Sequence, residues 1–302
     1  MPDLLVYLNG RLIPAVEASV SVFDAGLLHG ASVFTTMLAH QGKVFRLDRH
    51  LRRLLDTASL LGLRVGPAAT AAGGAGGSRG PTEGEAQRVL AAGAGEVLRA
   101  NGLAEARIRI TLTPGSIKEP GGGPTTLITA EPLPAHPAEW CEKGIAVVVS
   151  SFKQVRGDPA YGYKTGCYLA RMLTRQEAAR KGAEEALWYT PDNQLAEACF
   201  CNVFLVRGGR VQTPPRDTPV LPGIVREAVM ELCRAMEVPA DDQTPLTVRE
   251  MLAAEEVFLT SSIAGVRPVA RVERHRVGDE RPGPLTRRIM EAYRELLDKE
   301  CA

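Results

Sequence analysis

The chain has 302 residues, enough to bury a large core and to form two domains. Its formal net charge of +1 excludes the strong field typical of nucleic-acid or membrane binding, and no apolar run reaches the length of a membrane span. The six cysteines are scattered without a Cys-x-x-Cys pair and the N-terminus lacks a signal segment, so we expect a cytoplasmic protein with reduced thiols and no metal site.

The first 62 residues contain two predicted hairpins and a helix. Asn9-Gly10 and Gln41-Gly42 are turn sequences between short β-prone runs. Asp48 can cap a helix with one apolar face, and Gly62 ends it. The residues of that face are His50, Leu51, Leu54, Leu55, Ala58 and Leu61.

Arg53 stands at the edge of this apolar face, next to Arg52 and close to Arg49. A cluster of arginines is usually a solvated helix face. A partly buried arginine needs an anionic partner, however, and a phosphate group would serve. The sequence is compatible with both interpretations of Arg53.

Residues 66–84 form a Gly/Ala-rich segment that cannot bury apolar area, so we expect a flexible surface loop. Thr82 and Glu85 form a capping box that opens a helix to about Asn101. Period-two alternation and β-prone residues then predict strands at 107–112 and 126–129.

The proline-rich run 131–137 is the best domain boundary, because its three prolines make a stiff, extended connection. We therefore expect an N-terminal domain over 1–131, a linker over 132–138 and a C-terminal domain over 139–302.

Lys164 lies between two tyrosines where a strand-like region gives way to a helix, and Glu197 is a lone carboxylate shortly before an apolar strand at 202–206. A lysine that forms a Schiff base and a carboxylate that keeps a ring nitrogen protonated are the minimum for a pyridoxal phosphate site. Most single lysines are solvated surface groups, so this interpretation depends on other motifs at compatible places.

Two later segments contain hydrogen-bond donors that can contact an anion: the first amides of a helix and the hydroxyls at the end of a strand. Residues 221–226 open a helix whose first amides could bind phosphate, although an ordinary helix start is the simpler interpretation. The strand 257–262 ends in Ser261 and Ser262, which either terminate the strand or donate to phosphate oxygens. A last helix is predicted to reach Lys299.

In this order the motifs resemble the class IV (fold-type IV) pyridoxal-phosphate enzymes, which include branched-chain and D-amino-acid aminotransferases, (R)-amine transaminases and aminodeoxychorismate lyase. The resemblance covers nearly the whole chain. It rests on segments 50–54, 160–168, 197–204, 221–226 and 258–262. It implies a mixed α/β (α+β) fold with a smaller N-terminal and a larger C-terminal domain, the cofactor between them, and a homodimer whose partner helps to close the pocket.

The resemblance also implies residue roles. Lys164 matches the lysine that forms the Schiff base and then acts as the base at the substrate α-carbon, and Glu197 matches the carboxylate beside the pyridine nitrogen. Tyr168 lies near the place of a tyrosine directed at the 3′-oxygen of the cofactor. The residues that match phosphate-binding positions are Arg53, Ile224, Val225, Ser261 and Ser262.

The activity implied first is an aminotransferase that acts between an amino acid, of branched-chain or D-amino-acid type, and a 2-oxo acid. The alternative is aminodeoxychorismate lyase, which releases pyruvate and 4-aminobenzoate. A third hypothesis, a homologue that binds the cofactor without turnover, would be indicated by loss of Lys164 or Glu197, and both are present.

Subgroup signals in the sequence conflict. The run 164–168 is one residue shorter than the Lys-x-Gly-Gly-Asn-Tyr run of branched-chain enzymes, which suits the D-amino-acid and lyase subgroup better. The segment 34–36, Phe-Thr-Thr, resembles the lyase. Pro114 stands where the lyase often has an arginine, and no arginine follows up to Pro124, so the carboxylate trap of the D-amino-acid enzymes is missing.

The expected substrate pocket includes His29 and Phe34, because the N-terminal segment shapes the pocket in relatives. A structural role for His29 is the simpler interpretation, since Lys164 already supplies the acid–base group. The backbone amides around Ser262, Ile263 and Ala264 could hold a substrate carboxylate. Lys118 is the other cation available, although a loop lysine is more often solvated.

Overall fold

The computed structural model describes residues 4–63, 82–118, 123–158 and 161–302. Its contacts divide the chain into two compact units. The first comprises Met1–Pro134, Lys164–Cys167 and Asp298–Ala302, and the second comprises Ala135–Tyr163 and Tyr168–Leu297. The division after Pro134 falls inside the predicted linker. The predicted C-terminal domain was continuous over 139–302, but Lys164–Cys167 group with the first unit because they pair with one of its strands.

The first unit is an antiparallel sheet with helices. Its strands are β1 (Leu5–Leu8), β2 (Arg11–Pro14), β3 (Val33–His40), β4 (Lys43–Val44), β5 (Ala106–Thr113) and β6 (Thr125–Pro132). The strand order is β2-β1-β6-β5-β3-β4, and every pairing is antiparallel. Its helices among the described residues are α1 (Ala25–His29), α2 (Leu47–Leu60) and α3 (Glu83–Ala100).

Local sequence signals account for most of these boundaries. Asn9 and Gly10 have φ values of 49° and 92°, and Gln41 and Gly42 have 52° and 78°, as the two predicted turns require. Thr82 forms the predicted capping box with Glu85. Residues 66–81 of the predicted loop lie outside the described residues, but its predicted end at 84 is wrong, because Glu83 and Gly84 already belong to α3.

The start of α2 differs from the prediction. Its N-cap is Arg46, with φ 50° and no side-chain capping bond, and Asp48 lies inside the first turn instead. Arg46 donates to Glu300 at 3.0 Å, so a contact with the end of the chain fixes this corner. The apolar face itself is as predicted: Leu51, Leu54 and Ala58 are buried against the sheet.

The second unit is a larger, mixed sheet. Its strands are β7 (Ile145–Lys153), β8 (Glu185–Tyr189), β9 (Leu195–Ala198), β10 (Asn202–Arg207), β11 (Arg210–Gln212), β12 (Ala240–Asp241), β13 (Glu256–Ser261), β14 (Gly265–Val272) and β15 (His275–Arg276). Its helices among the described residues are α4 (Glu139–Glu142), α5 (Leu169–Arg180), α6 (Ile224–Ala235), α7 (Val248–Leu252) and α8 (Pro284–Cys301), whose last residues belong to the first unit.

The strand order in this sheet is β12-β11-β10-β13-β14-β7-β8-β9, with β15 added beside β14. The pairs β7–β8, β7–β14 and β11–β12 are parallel and the others are antiparallel. The mixed α/β class predicted from the sequence is thus confirmed. None of the helices formed by the described residues combines the length and the apolar character of a membrane span.

Helix α5 turns a face that contains an arginine to the sheet. Its apolar residues Leu169 and Met172 are 71% and 54% exposed. The buried residues are Arg171, Thr174 and Ala178, spaced three and four positions apart. A buried arginine needs a compensating partner, and β9 supplies one.

Candidate active site

Lys164 is fixed by its backbone to strand β3 of the first unit. Its carbonyl oxygen accepts from the amide of Phe34 at 2.9 Å, and the next residue, Thr165, forms a bridge with Val33. The half-buried Lys164 Nζ lies 4.8 Å from the centroid of the buried Phe34 ring. The backbone of Lys164 is thereby held in place, and its side-chain amine lies beside an aromatic ring. An amine on a fixed backbone is the group that covalent catalysis by a lysine uses.

Arg109 shares that aromatic ring. Its guanidinium carbon lies 3.6 Å from the Phe34 centroid, so the side chains of two basic residues, Arg109 and Lys164, lie against the Phe34 ring. Arg109 is not among the site residues predicted from the sequence. The available signal was the alternation Arg107-Ile108-Arg109-Ile110 in β5, which places both arginines on the sheet face opposite the buried isoleucines.

Arg53 lies beside a buried histidine in the same unit. Its Nη2 donates to Thr35 Oγ1 at 3.3 Å, and Thr35 Oγ1 lies 2.9 Å from His50 Nδ1. Burial, followed by the positive charges of Arg53 and Lys164, holds the pKa of His50 well below its usual value of 6.5. In the neutral tautomer that carries its proton on Nε2, His50 accepts a hydrogen bond from the Thr35 hydroxyl at Nδ1, and the Thr35 oxygen accepts from Arg53. Arg53 is half-buried, as the phosphate-ligand interpretation requires.

The depressed pKa of His50 makes the stability of this unit depend on pH. As the pH falls below about 6.5, unfolded chains take up the proton before folded ones, so the free energy of unfolding falls, by up to about 1.4 kcal/mol per pH unit, until the depressed pKa is reached. We expect the urea midpoint, followed by circular dichroism, to drop between about pH 7 and 5. In His50→Gln this part of the pH dependence should disappear. Identical pH dependence in the two proteins would show that His50 does not titrate as described.

Glu197 is the centre of a buried polar cluster in the second unit. It lies in β9 and is 2% exposed. Its Oε1 accepts from Arg171 Nη2 at 2.6 Å and from Gln154 Nε2 at 2.9 Å. Its Oε2 accepts from the amide of Leu221 at 3.0 Å and from Asn202 Nδ2 at 3.4 Å. A carboxylate surrounded by donors in this way is held in its ionised form.

Asn202 connects this cluster to the start of α6. Its Nδ2 also donates to the carbonyl of Leu221 at 2.9 Å, and Gly223 is the N-cap of the helix. The buried Ile224 and Val225 are the first residues of α6, so the structure places both at the helix start, as predicted. Their amides are therefore among those at the positive end of the helix dipole.

Gly223 is required here by space. A Cβ at this position would lie 1.9 Å from Asn202 Oδ1, so Asn202 must move in Gly223→Ala. We expect a loss of about 1–3 kcal/mol in unfolding free energy and weaker binding of any ligand that uses Glu197. Urea unfolding and ligand titration measure the two effects.

Gly84 provides the matched control. It lies in α3, and a Cβ there would meet no atom within 4 Å. Gly84→Ala should leave ligand binding unchanged and raise stability by about 0.5–1 kcal/mol. If Gly223→Ala behaves like Gly84→Ala, the close approach between Gly223 and Asn202 has no consequence.

The other predicted residues fall at defined places. Tyr168 is the N-cap residue of α5, and its ring stacks on Phe200 with centroids 5.8 Å apart. Ser261 ends β13, and its Oγ accepts from the amide of Ala264 at 3.2 Å. Ser262 and Ile263 lie in the half-buried turn before β14.

The predicted N-terminal pocket residues differ in exposure. Phe34 is buried, whereas His29 is exposed at the end of α1. Lys118, the alternative cation, is exposed and lies 4.6 Å from the Phe23 ring. Of these three, Phe34 alone is placed by the structure against Lys164.

Arg171 and Gln154, which both hold Glu197, carry no signal in the sequence. Arg171 shares a helical face with Thr174 and Ala178, whereas the large apolar residues of α5 lie on another face and are exposed, so the apolar pattern does not predict that Arg171 is buried. Gln154 lies just after β7.

Known proteins resemble the whole of this chain. The putative branched-chain-amino-acid aminotransferase of Methanocaldococcus jannaschii is 30% identical over 303 residues, covering 97% of this chain and 96% of that protein. The branched-chain-amino-acid aminotransferase of Escherichia coli K12 is 30% identical over 307 residues, covering 98% and 93%.

Solved structures of branched-chain amino acid aminotransferases are also similar to nearly the whole chain. The crystal structure of the Escherichia coli branched-chain amino acid aminotransferase has a TM-score of 0.85 at 29% identity, and covers 99% of this chain and 96% of its own. A second branched-chain amino acid aminotransferase, from T.th. and with pyridoxamine 5′-phosphate, has a TM-score of 0.86 at 25% identity, covering 98% and 94%. The family described as amino-transferase class IV matches residues 32–272, which include Lys164 and Glu197. The chain therefore belongs to the class IV aminotransferase family.

Proposed function

We propose that this protein transfers an amino group between a branched-chain amino acid and a 2-oxo acid, with pyridoxal 5′-phosphate as its cofactor. The observation that carries the proposal is the pair of chemically matched groups: Lys164 on the Phe34 ring, and Glu197 held as a buried anion. The substrate class rests on the relatives, which are named as branched-chain aminotransferases.

The residues present fit this cofactor. Lys164 offers an amine on a backbone that is held in place, and the low pKa of His50 reflects its burial and then the positive charge that Arg53 and Lys164 bring to the first unit. Glu197 offers a carboxylate kept ionised by its four donors. The amine of Lys164 suits the aldehyde of the cofactor, the positive charge of Arg53 suits its phosphate, and the carboxylate of Glu197 suits its basic ring nitrogen.

When bound, pyridoxal phosphate supplies a ring that accepts negative charge from the substrate α-carbon. Lys164 would hold it covalently through Nζ and then, once freed by the substrate amine, move the proton at the α-carbon. Glu197 would keep the ring nitrogen protonated. Arg53, together with the amides at the start of α6 and the hydroxyls of Ser261 and Ser262, would hold the phosphate.

Arg109 is our candidate for the substrate carboxylate. Its guanidinium and the Lys164 amine contact the same Phe34 ring, at 3.6 Å and 4.8 Å from the centroid. An arginine can bind a carboxylate through two parallel hydrogen bonds, which a loop lysine such as Lys118 cannot do. A group bound at Arg109 would therefore lie close to the proton-transfer residue.

Substrate assays test the proposal and its alternatives. L-Leucine, L-isoleucine and L-valine, with 2-oxoglutarate, should each give glutamate, and Lys164→Ala should give none. Turnover of D-amino acids alone would favour the D-amino-acid type. The relatives do not favour the lyase alternative, and release of pyruvate from aminodeoxychorismate without any transamination would reverse that conclusion.

A homodimer and a cytoplasmic location stay predictions. The first rests on the family resemblance and the second on the cysteine pattern, which the structure describes as six free thiols. Sedimentation of the purified protein measures the oligomeric state directly, and a mass of one chain would contradict the dimer.

A further inference from the structure

Arg171 is a buried cation that the reaction scheme above does not use. It projects from α5 and is 5% exposed. Its Nη2 donates to Glu197 Oε1 at 2.6 Å, and its Nη1 donates to the carbonyls of Ala198 and Cys199 at 3.1 Å and 2.8 Å. One guanidinium thus binds both the carboxylate of Glu197 and the backbone that follows it.

Both members of this ion pair are charged. Burial lowers the pKa of Arg171, but the charge of Glu197, the charge of Tyr168 and the hydrogen bond to Glu197 act together against it, and the pKa is raised. Gln154 and the amide of Leu221 also donate to Glu197, so both of its oxygens face donors. Protonating Glu197 would turn an O–H group toward donors and leave Arg171 buried without a counter-ion, which is strongly unfavourable.

We propose that Arg171 is a positioning residue that holds Glu197 as an anion and thereby keeps the shared proton on the ring nitrogen of the bound cofactor. This inference rests on the proposed function, in which Glu197 contacts that nitrogen. A proton between a ring nitrogen and a lone carboxylate can sit on either partner. With Arg171 in place it stays on the nitrogen, because its transfer to Glu197 would break a buried ion pair.

The other ionisable groups near Arg171 do not replace it. Burial raises the pKa of the Cys199 thiol to about 12 and raises the pKa of Tyr161, so both are neutral at working pH. Tyr168 faces the guanidinium with its ring, 5.5 Å from the centroid. Glu185 also faces it, but is bound to Arg175 at 3.2 Å. Among the described groups around Glu197, Arg171 is the cation that contacts it.

Arg175 offers a matched control on the same helix. It lies one turn beyond Arg171 and pairs with Glu185, a second buried glutamate. Arg175→Gln removes an ion pair between a half-buried arginine of α5 and a buried glutamate, and leaves the contacts of Glu197 in place. Any effect that is common to both variants is due to the loss of helix packing.

The test uses protein reconstituted with ¹⁵N-labelled pyridoxal phosphate, in which nitrogen NMR reports the protonation of the ring nitrogen. Wild type and Arg175→Gln should keep the nitrogen protonated from about pH 6 to 9. In Arg171→Gln it should lose its proton within this range, with kcat reduced at least about tenfold and KM changed less than about threefold. Arg171→Lys, which keeps the charge, should restore most of the protonation.

Arg171→His covers the case in which Arg171→Gln does not fold. It is reconstituted at low pH with its imidazolium charged, and the charge is then removed by raising the pH. The ring nitrogen should lose its proton as the imidazole does.

Wild-type protonation of the nitrogen at every pH in Arg171→Gln or Arg171→His would overturn the inference and leave Arg171 a purely structural role. Failure of the wild-type protein to bind the cofactor at all would instead refute the proposed function. The two failures are therefore distinguishable.

Discussion

Replacing Lys164 by alanine is expected to lower kcat at least about 10⁴-fold, the largest effect of any single change in this chain. The substitution removes both the covalent attachment and the base at the α-carbon. The backbone contacts of residue 164 with Phe34 do not need the side chain, so the fold should persist. Glutamate formation from L-leucine and 2-oxoglutarate measures the loss, and circular dichroism checks the fold.

Lys153→Ala is the matched control for this change. Lys153 is an exposed lysine in β7 whose Nζ lies 3.4 Å from Asn193 Oδ1. Its removal should leave kcat within about twofold of wild type, because surface contacts of this kind contribute little. A Lys164→Ala enzyme that kept a tenth or more of wild-type turnover would show that another group performs the chemistry.

Glu197→Gln is expected to damage both stability and turnover. It leaves Arg171 buried without a counter-ion, which costs about 3–5 kcal/mol of unfolding free energy. It also replaces a charged partner of the cofactor ring by a neutral one, which should lower kcat by about 10²-fold or more. Both tryptophans, Trp140 and Trp188, lie in the second unit, so fluorescence during urea unfolding reports on the unit that contains Glu197.

Glu185→Gln is the control that separates the loss of stability from the loss of turnover. Glu185 is also buried, and it accepts from Arg175 and from the amide of Cys199, at 3.2 Å and 2.8 Å. Its replacement should lower stability without a comparable loss of kcat. If Glu197→Gln lost stability and kept its turnover, Glu197 would be a structural residue and nothing more.

Much of the fold follows from local chemistry. The turns at Asn9-Gly10 and Gln41-Gly42 need residues that tolerate positive φ, and the capping box at Thr82 needs only its own neighbours. Elements such as α1, α4 and α7 span four or five residues, too few for a periodic pattern to show. The strand β9, which carries Glu197, was missed for the same reason.

The remaining errors come from contacts between residues far apart in the chain. Asp48 is a suitable cap by sequence, but Arg46 takes the N-cap position while its side chain binds Glu300. In α5 the apolar residue Leu169 is exposed and Arg171 is buried, because the partner of Arg171 lies on another element. No local pattern in the helix contains that information.

The residues of the candidate site also differ in whether the sequence alone identifies them. Lys164, Glu197 and Arg53 could be identified because the family motifs mark them. Arg171 and Gln154, which hold Glu197, stand outside those motifs and become visible only through their contacts.

Lys164 is the residue that we expect to hold the cofactor covalently. Borohydride converts the C=N bond between a lysine and a bound aldehyde into a stable amine, so the reduced protein can be digested and mapped by mass spectrometry. We predict one modified peptide, with the cofactor on Lys164. A cofactor found on another lysine, or no modified peptide after saturation with pyridoxal phosphate, would contradict the account.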